Sequence, residues 1–275
     1  MVKFNGKSLA AATIGAAMAL GVCGAAQAKD GISGDVSVSY NSHFISYGAD
    51  VFAGKHKIFG ETSPVFVNAD LYLTKGNLTL FGNIWADIVG GDAIGNANPL
   101  GGSIEEVDLN LGGSYAAGPV TFGAAYGRWN YGGDSEGIVD LSVAFNDADM
   151  LVKGFAINPK VLFHIRTDKG AGQLGTGTAI VLSAGPAFTA GPVAVSFPVG
   201  VAFFTSENFQ NGTKSGYGYS YAGLSLGYPL TFVPSDFGTW TLFTDWIGYF
   251  TDENAIPGNQ RKNFLTADFG LKLAF

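Results

Sequence analysis

The chain has 275 residues, a formal net charge of −7 and only 13% charged residues. The acidic balance argues against a nucleic-acid partner, which needs a basic face. Beyond residue 28 no run reaches the roughly 18 apolar residues of a spanning helix, so residence in a membrane would require a closed barrel.

Residues 1–28 read as a secretory signal peptide. Lys3 and Lys7 form a basic start, Leu9 to Val22 an apolar stretch, and Ala26-Gln27-Ala28 a cleavage site. Val22 before Cys23 fits a lipoprotein signal poorly, so the mature chain is expected to start at Lys29 without cysteine. Residues 29–275 form one domain in this reading.

Period-two segments fill the rest. The first runs from Gly34 to about Ser46, with Val36, Val38 and Tyr40 on one face and Asp35, Ser37 and Ser39 on the other. A long, solvated connection through Gly48, Gly54, Lys55, His56 and Lys57 is expected next. The second (Val65 to Leu73) and third (Leu78 to Ile88) flank a tight Lys75-Gly76-Asn77 turn. Their inward sets include Asp70, and then Phe81, Trp85 and Asp87. Gly90 to Ser103 connects to the fourth strand, which turns Glu106 and Asp108 inward. The turn Ala117-Gly118-Pro119 leads to the fifth, and Asn130 to Gly137 is read as a long connection.

The sixth strand carries Asp140 and Ser142 inward. After a turn at Asn146 to Asp149, the seventh is expected from Leu151 to Thr167, with a bulge at Pro159 and with Lys160, His164 and Arg166 inward. Ala190-Gly191-Pro192 repeats the earlier turn between the eighth and ninth strands. The tenth starts near Tyr217, and Val233 to Asp236 leads to the eleventh, with Asp245 inward. The chain ends in Phe264 to Phe275: Leu265, Ala267, Phe269, Leu271, Leu273 and Phe275 share one face, Asp268 and Lys272 the other.

The pattern predicts an all-β, antiparallel transmembrane barrel of about 12 strands, or ten if the sixth or tenth segment is misread. Short periplasmic turns should alternate with longer external loops. Trp129, Tyr131, Tyr115, Trp240 and Tyr249 are placed in interface belts. Gly112, Gly123, Gly127, Gly185, Gly200, Gly227 and Gly270 face the lumen as bend points or open space. Phe275 at the periplasmic edge resembles the signal read by the outer-membrane assembly machinery. The surroundings would be outer-membrane lipid and lipopolysaccharide.

His43, His56 and His164 show no zinc-ligand spacing, and no metal or cofactor is expected. Acidic residues Asp245, Asp268, Asp35, Asp70, Asp87, Glu106 and Asp108 collect around the closure. Lys160, His164 and Arg166 stand across from them, with Asp140 placed to pair with one. Such opposed walls would orient dipolar solutes, and the acidic excess would give weak cation selectivity. The leading function is a passive channel for small hydrophilic solutes. One alternative is a structural or surface-interaction barrel closed by Phe81, Trp85, Phe243 and Tyr249. Another is an outer-membrane hydrolase built on His164, Asp140 and Ser142.

The stretch Val36 to Gly48, Val-Ser-Val-Ser-Tyr-Asn-Ser-His-Phe-Ile-Ser-Tyr-Gly, resembles the opening of the TorF-like porin family, where Ser-Asp-Tyr-Val-Phe-Arg-Gly is typical. Ser42 and Gly48 match, and Phe44 and Ile45 are similar. His43, Ser46 and Tyr47 stand in place of Asp, Phe and Arg. The resemblance implies a porin architecture and transport, without naming a solute.

Overall fold

The computed structural model describes residues 30–51, 63–88, 104–131, 134–169 and 174–275. The expected signal peptide, Cys23, the start at Lys29, and loop residues Gly54 to Lys57 and Gly90 to Ser103 lie outside them. Twelve antiparallel strands close into one barrel. They are β1 (Gly31–Asn41), β2 (Val65–Lys75), β3 (Leu78–Ile88), β4 (Ile104–Ala117), β5 (Val120–Tyr131) and β6 (Asp134–Phe145). Next come β7 (Phe155–Ala156 and Lys160–Arg166), β8 (Gly177–Ala184 and Ala187–Ala190) and β9 (Val193–Ser196 and Val199–Phe204). The last are β10 (Gly216–Pro229), β11 (Thr239–Thr251) and β12 (Asn263–Ala274).

β12 pairs with β1, Asp35 opposite Ala274 and Asn41 opposite Asp268. The ring therefore leaves no open edge, as lipid demands of backbone groups that have no water to bond. Alternation does the sorting. Val36, Val38, Leu71, Leu80, Ile84, Leu111, Leu141, Leu182, Leu242 and Phe269 are exposed on the outside, where lipid replaces water. Their neighbours in sequence turn into the lumen.

Two short turns show how the sequence fixes register. Ala117-Gly118-Pro119-Val120 and Ala190-Gly191-Pro192-Val193 each pair their outer residues. Gly118 and Gly191 both take φ of +62°. The glycine supplies positive φ at the first loop position, and proline's fixed negative φ suits the second.

Several expectations about connections change. β5 runs to Tyr131 and β6 begins at Asp134, so most of the connection expected from Asn130 to Gly137 is strand. Conversely, the chain between β6 and β7 is not a short turn. Residues 151–154 belong to it, and β7 does not begin at Leu151. Asp147 organises this segment: its carboxylate accepts from the backbone N–H of Ile157 and of Asn158, both at 2.8–3.0 Å. Pro159 interrupts β7, as a residue without a ladder donor should. Pro186 and Pro198 interrupt β8 and β9 beside it. Carbonyls bridge these breaks, with Gly185 N–H bonded to Ile157 and Phe197 N–H to Pro186.

The expected first strand also ends early. β1 stops at Asn41, and Ile45–Ser46 pairs with Ala49–Asp50 in a separate two-stranded hairpin. This hairpin is not solvated. It folds inside the barrel mouth, with Phe44, Ile45 and Tyr47 among the most buried residues of the chain.

Candidate functional site

The inner hairpin occupies the loop end of the lumen, away from the chain termini. Its two-residue turn is Tyr47-Gly48, with φ of 45° and 80°. Both are left-handed, which a hairpin turn of this kind requires and which a tyrosine adopts only at a cost. Packing compensates. The Tyr47 ring is stacked on the His164 imidazole of β7, centroids 3.8 Å apart. Phe209 meets it edge-on. Phe44 sits against Phe66 of β2 and Trp85 of β3.

Polar groups latch the same hairpin to the loops after β9 and β11. Gln210 donates to the Ser46 carbonyl at 2.9 Å. Asn259 donates to the Gly48 carbonyl and accepts from the Asp50 N–H, each at 2.8 Å. At its base, Ser42 Oγ meets His43 Nδ1 at 2.8 Å and accepts from the Ala267 N–H. His43 Nε2 lies 3.9 Å from Asp50. Burial pushes the His43 pKa below its ordinary value of 6.5, keeping the ring neutral. Ser42, its neighbour in sequence, and Asp50, brought back by the hairpin, accompany His43. They serve as an anchor, because the Ser42 oxygen is buried and already accepts a backbone bond.

Below the hairpin the lumen has two unlike walls. On β10, β11 and β12 stand Tyr219, Tyr221, Tyr249 and Phe264, each within 5.3–6.3 Å of the next ring centroid. Tyr249, expected in an interface belt, belongs to this wall. Trp129, expected in the same belt, also turns inward, where it lies 5.3 Å from His164. Register explains both: each is on the inner parity of its strand, opposite the lipid-facing Tyr126 and Leu242 sets.

The other wall is polar. Asn68, Asp70, Asn83 and Asn110 form a ladder across β2, β3 and β4, each amide donating to the next acceptor at 2.5–2.9 Å. Above it lie Asp87, Glu106 and Asp108, all buried. One Asp87 oxygen accepts from the Glu106 and Glu105 N–H groups. Glu106 and Asp108 stand two apart on the inner face of β4.

The cations of β7 do not oppose this wall as free charges. Arg166 Nε donates to Glu136 of β6 at 2.6 Å. Its Nη1 donates to the Phe209 and Gly175 carbonyls, and its guanidinium lies 4.3 Å over the Phe209 ring. His164 Nδ1 meets Asp140 of β6 at 2.7 Å, the partner the sequence pointed to. Two of the groups expected to form the positive wall thus meet carboxylates on the adjacent strand β6: Arg166 meets Glu136 and His164 meets Asp140. Lys160 is inward and half-buried. Asp35 and Asp70 face each other in the β1–β2 register, with Lys272 of β12 opposite Ser37 two residues on. Asp245 and Asp268 are directly paired across β11 and β12, the Asp245 N–H donating to Asp268 at 2.8 Å.

The lumen glycines are not all open space. A Cβ on Gly112 would stand 2.5 Å from the Phe81 ring, one on Gly200 2.6 Å from Tyr221, and one on Gly270 would overlap the Phe243 ring. Each of these glycines is a seat across which a neighbouring aromatic ring lies flat. Gly185 has nothing near it, Gly227 has only ordinary contacts with Thr241 and Ala194, and Gly127 faces the Asn110 side chain. Among the described residues no set of three acids, histidines or cysteines is gathered to hold a metal ion.

Tyr47, Phe209, Gln210, Glu136 and Asn259 were not singled out from sequence. The one signal for the hairpin was the apolar run Phe44-Ile45 followed by Tyr47-Gly48, too short to show a period. Loop residues such as Phe209 carry no pattern at all.

No family model matches the chain, and neither does any curated protein. The resemblance to TorF-like porins thus finds no support from them. Among solved structures, the NanC porin aligns with a TM-score of 0.52 over 87% of this chain and 98% of its own, at 6% identity. The COG4313 outer membrane channel from Pseudomonas putida F1 aligns with a TM-score of 0.48 over 89% and 95%, at 14% identity. The first likeness establishes fold alone: the chain shares the small-barrel architecture of an outer-membrane porin.

Proposed function

We propose that the chain is a passive outer-membrane channel for small hydrophilic solutes, weakly selective for cations, and that the inner hairpin is its gate. The observation that carries this reading is the density of incompletely paired polar groups in the lumen. Asp87 Oδ2, Asp108 Oδ1, Asn110 Oδ1, His164 Nε2 and Arg166 Nη2 are buried without a hydrogen-bond partner. Each such group costs about 1–3 kcal/mol, more when charged. A barrel whose interior served only to hold its shape would gain from apolar side chains there. Groups of this kind belong to a surface that is wet in another state.

The closed state rests on a movable part. The hairpin contributes no barrel strand, and its removal would leave the twelve-strand ladder intact. Small barrels fill their interior with side chains and large porins leave an aqueous channel; a twelve-strand ring with a seated hairpin stands between them.

Planar-bilayer recording of the folded barrel, parent against a deletion of residues 45–50, tests the proposal. The deletion is expected to raise mean conductance severalfold. Silence from both, with each barrel folded by heat-modifiability, would overturn the channel and favour the occluded interaction barrel. The hydrolase reading is not favoured: His164 is fully buried beneath Tyr47, out of reach of any substrate in this state.

A further inference from the structure

Asp87, Glu106, Asp108, Glu136 and Asp140 are all buried along one wall of the lumen. Arg166 is held by Glu136, and His164 Nδ1 meets Asp140. Three acceptors in that wall lack a donor: Asp87 Oδ2, Asp108 Oδ1 and Asn110 Oδ1. Asp108 and Asn110 are successive inward residues of β4. Asp87 is the inward neighbour of Trp85, which pairs with Asp108. The three oxygens thus share one patch. The indole N–H of Trp129, which pairs with Asp108 from the other side, is also unbonded.

The patch does not suit a bare metal ion, since no three acids close up around one point. Spaced acceptors instead fit a guest whose donors are themselves spread out and planar or branched. The molecule contains an internal example on β7, with β5 and β6 between it and β4. There the Arg166 guanidinium is held by a carboxylate, two carbonyls and the face of an aromatic ring. The tyrosine wall of Tyr219, Tyr221 and Tyr249 offers the same kind of aromatic surface to a cation in the lumen.

We propose that the patch formed by Asp87, Asp108 and Asn110 is a binding subsite for small organic cations bearing several N–H donors, alkylguanidines above all. The inference rests on the channel reading for access, because Asp87, Asp108 and Asn110 are all buried. A guest that neutralises the wall would also make cations of this class the favoured solutes.

The test uses the full mature chain, folded in detergent and then in planar bilayers, with agmatine as the probe. Glutarate and 1,4-butanediol serve as anionic and neutral controls. Agmatine is expected to quench tryptophan fluorescence saturably, and the Asp87→Asn, Asp108→Asn double variant to bind about tenfold more weakly or worse. Neither control should bind. Equal binding by parent and variant, or no preference for agmatine over 1,4-butanediol, would overturn the subsite. Should the double variant fail to fold, Asp87→Asn alone takes its place, and the parent's preference among the three probes still decides. Potassium chloride conductance, recorded on the same protein, reports separately on the channel. A conducting barrel blind to agmatine sinks the subsite alone, whereas a silent barrel that binds agmatine sinks the channel and keeps the subsite.

Discussion

Tyr47 lies on His164 with their ring centroids 3.8 Å apart and planes tilted by 27°, a contact between the inner hairpin and strand β7. Tyr47 is 1% exposed, yet its hydroxyl has no hydrogen-bond partner. Ring and hydroxyl therefore act in opposite directions. Truncation to Ala removes the ring's packing and weakens seating by about 3–5 kcal/mol. Removing the hydroxyl alone relieves an unpaired buried group and strengthens seating by about 1–3 kcal/mol. In single-channel recordings Tyr47→Ala is expected to raise open probability and Tyr47→Phe to lower it. Movement of both variants in one direction would mean that Tyr47 does not set the gate.

His43 ties the base of the hairpin to pH. Its pKa is depressed from 6.5 by burial, so the seated state holds the neutral ring. Well above 6.5 both seated and released states are neutral, and the contribution to seating is complete. As pH falls through 6.5 the released state takes up a proton that the seated state resists, and seating weakens. Asp50, 3.9 Å from Nε2, reduces the effect without reversing its sign. Conductance should rise between about pH 7.5 and about pH 5.5, and His43→Gln should flatten that rise. A rise unchanged in His43→Gln would place the titrating group elsewhere.

The barrel itself was legible in the sequence because lipid enforces alternation. Val36, Leu71, Leu111, Leu141 and Leu242 declare an outside whatever lies within. The turn residues Gly76, Gly118 and Gly191 mark one end of the barrel for the same local reason, positive φ. The interior was less legible, since a lumen can be filled by chain from anywhere. Nothing local to Phe44-Ile45-Ser46-Tyr47 separates a loop in water from a hairpin folded inward. The glycines misled in a related way. Gly112 looks like space until Phe81, far away in sequence and adjacent in register, is laid across it. His164 and Asp140 were matched correctly because adjacent antiparallel strands convert a count of residues into a contact. Glu136 was missed one turn of the same logic further on, where a misplaced start for β6 left it in a loop.

Gly270 tests the seating of aromatic rings on lumen glycines. A Cβ there would overlap the Phe243 ring, and the ring is held by β11. Gly270→Ala must push that ring into the lumen or distort β12. Overpacking of this kind costs about 1–3 kcal/mol. The temperature at which the heat-modifiable folded band is lost should fall, and Gly270→Ala combined with Phe243→Leu should recover most of the loss. A single variant as heat-resistant as the parent would show that the ring moves freely, and that the glycine is there for another reason.

Phe275 and Gly34 close the barrel. Each donates its N–H to the other's carbonyl at 3.0 Å, extending the β12–β1 ladder to the last residue. The Phe275 ring crosses the Gly34 position, where a Cβ would stand 2.8 Å from it, and remains 62% exposed on the lipid side. The two features separate what the terminal residue does in the finished barrel from what it does before. In the finished barrel the backbone pair matters, and any side chain leaves it intact, so Phe275→Ala should shift thermal unfolding only slightly. During assembly the exposed ring is what the outer-membrane machinery would find, so the same variant should reach the membrane in clearly smaller amount. Gly34→Val should do the reverse, entering the pathway normally but closing poorly, because its side chain must displace the ring or open the ladder at its last rung. The readouts are the folded fraction in isolated outer membranes and the unfolding temperature of purified barrels. If Phe275→Ala lowers the unfolding temperature as much as Gly34→Val does and leaves the membrane fraction unchanged, the ring is structural packing at the seam and carries no assembly signal.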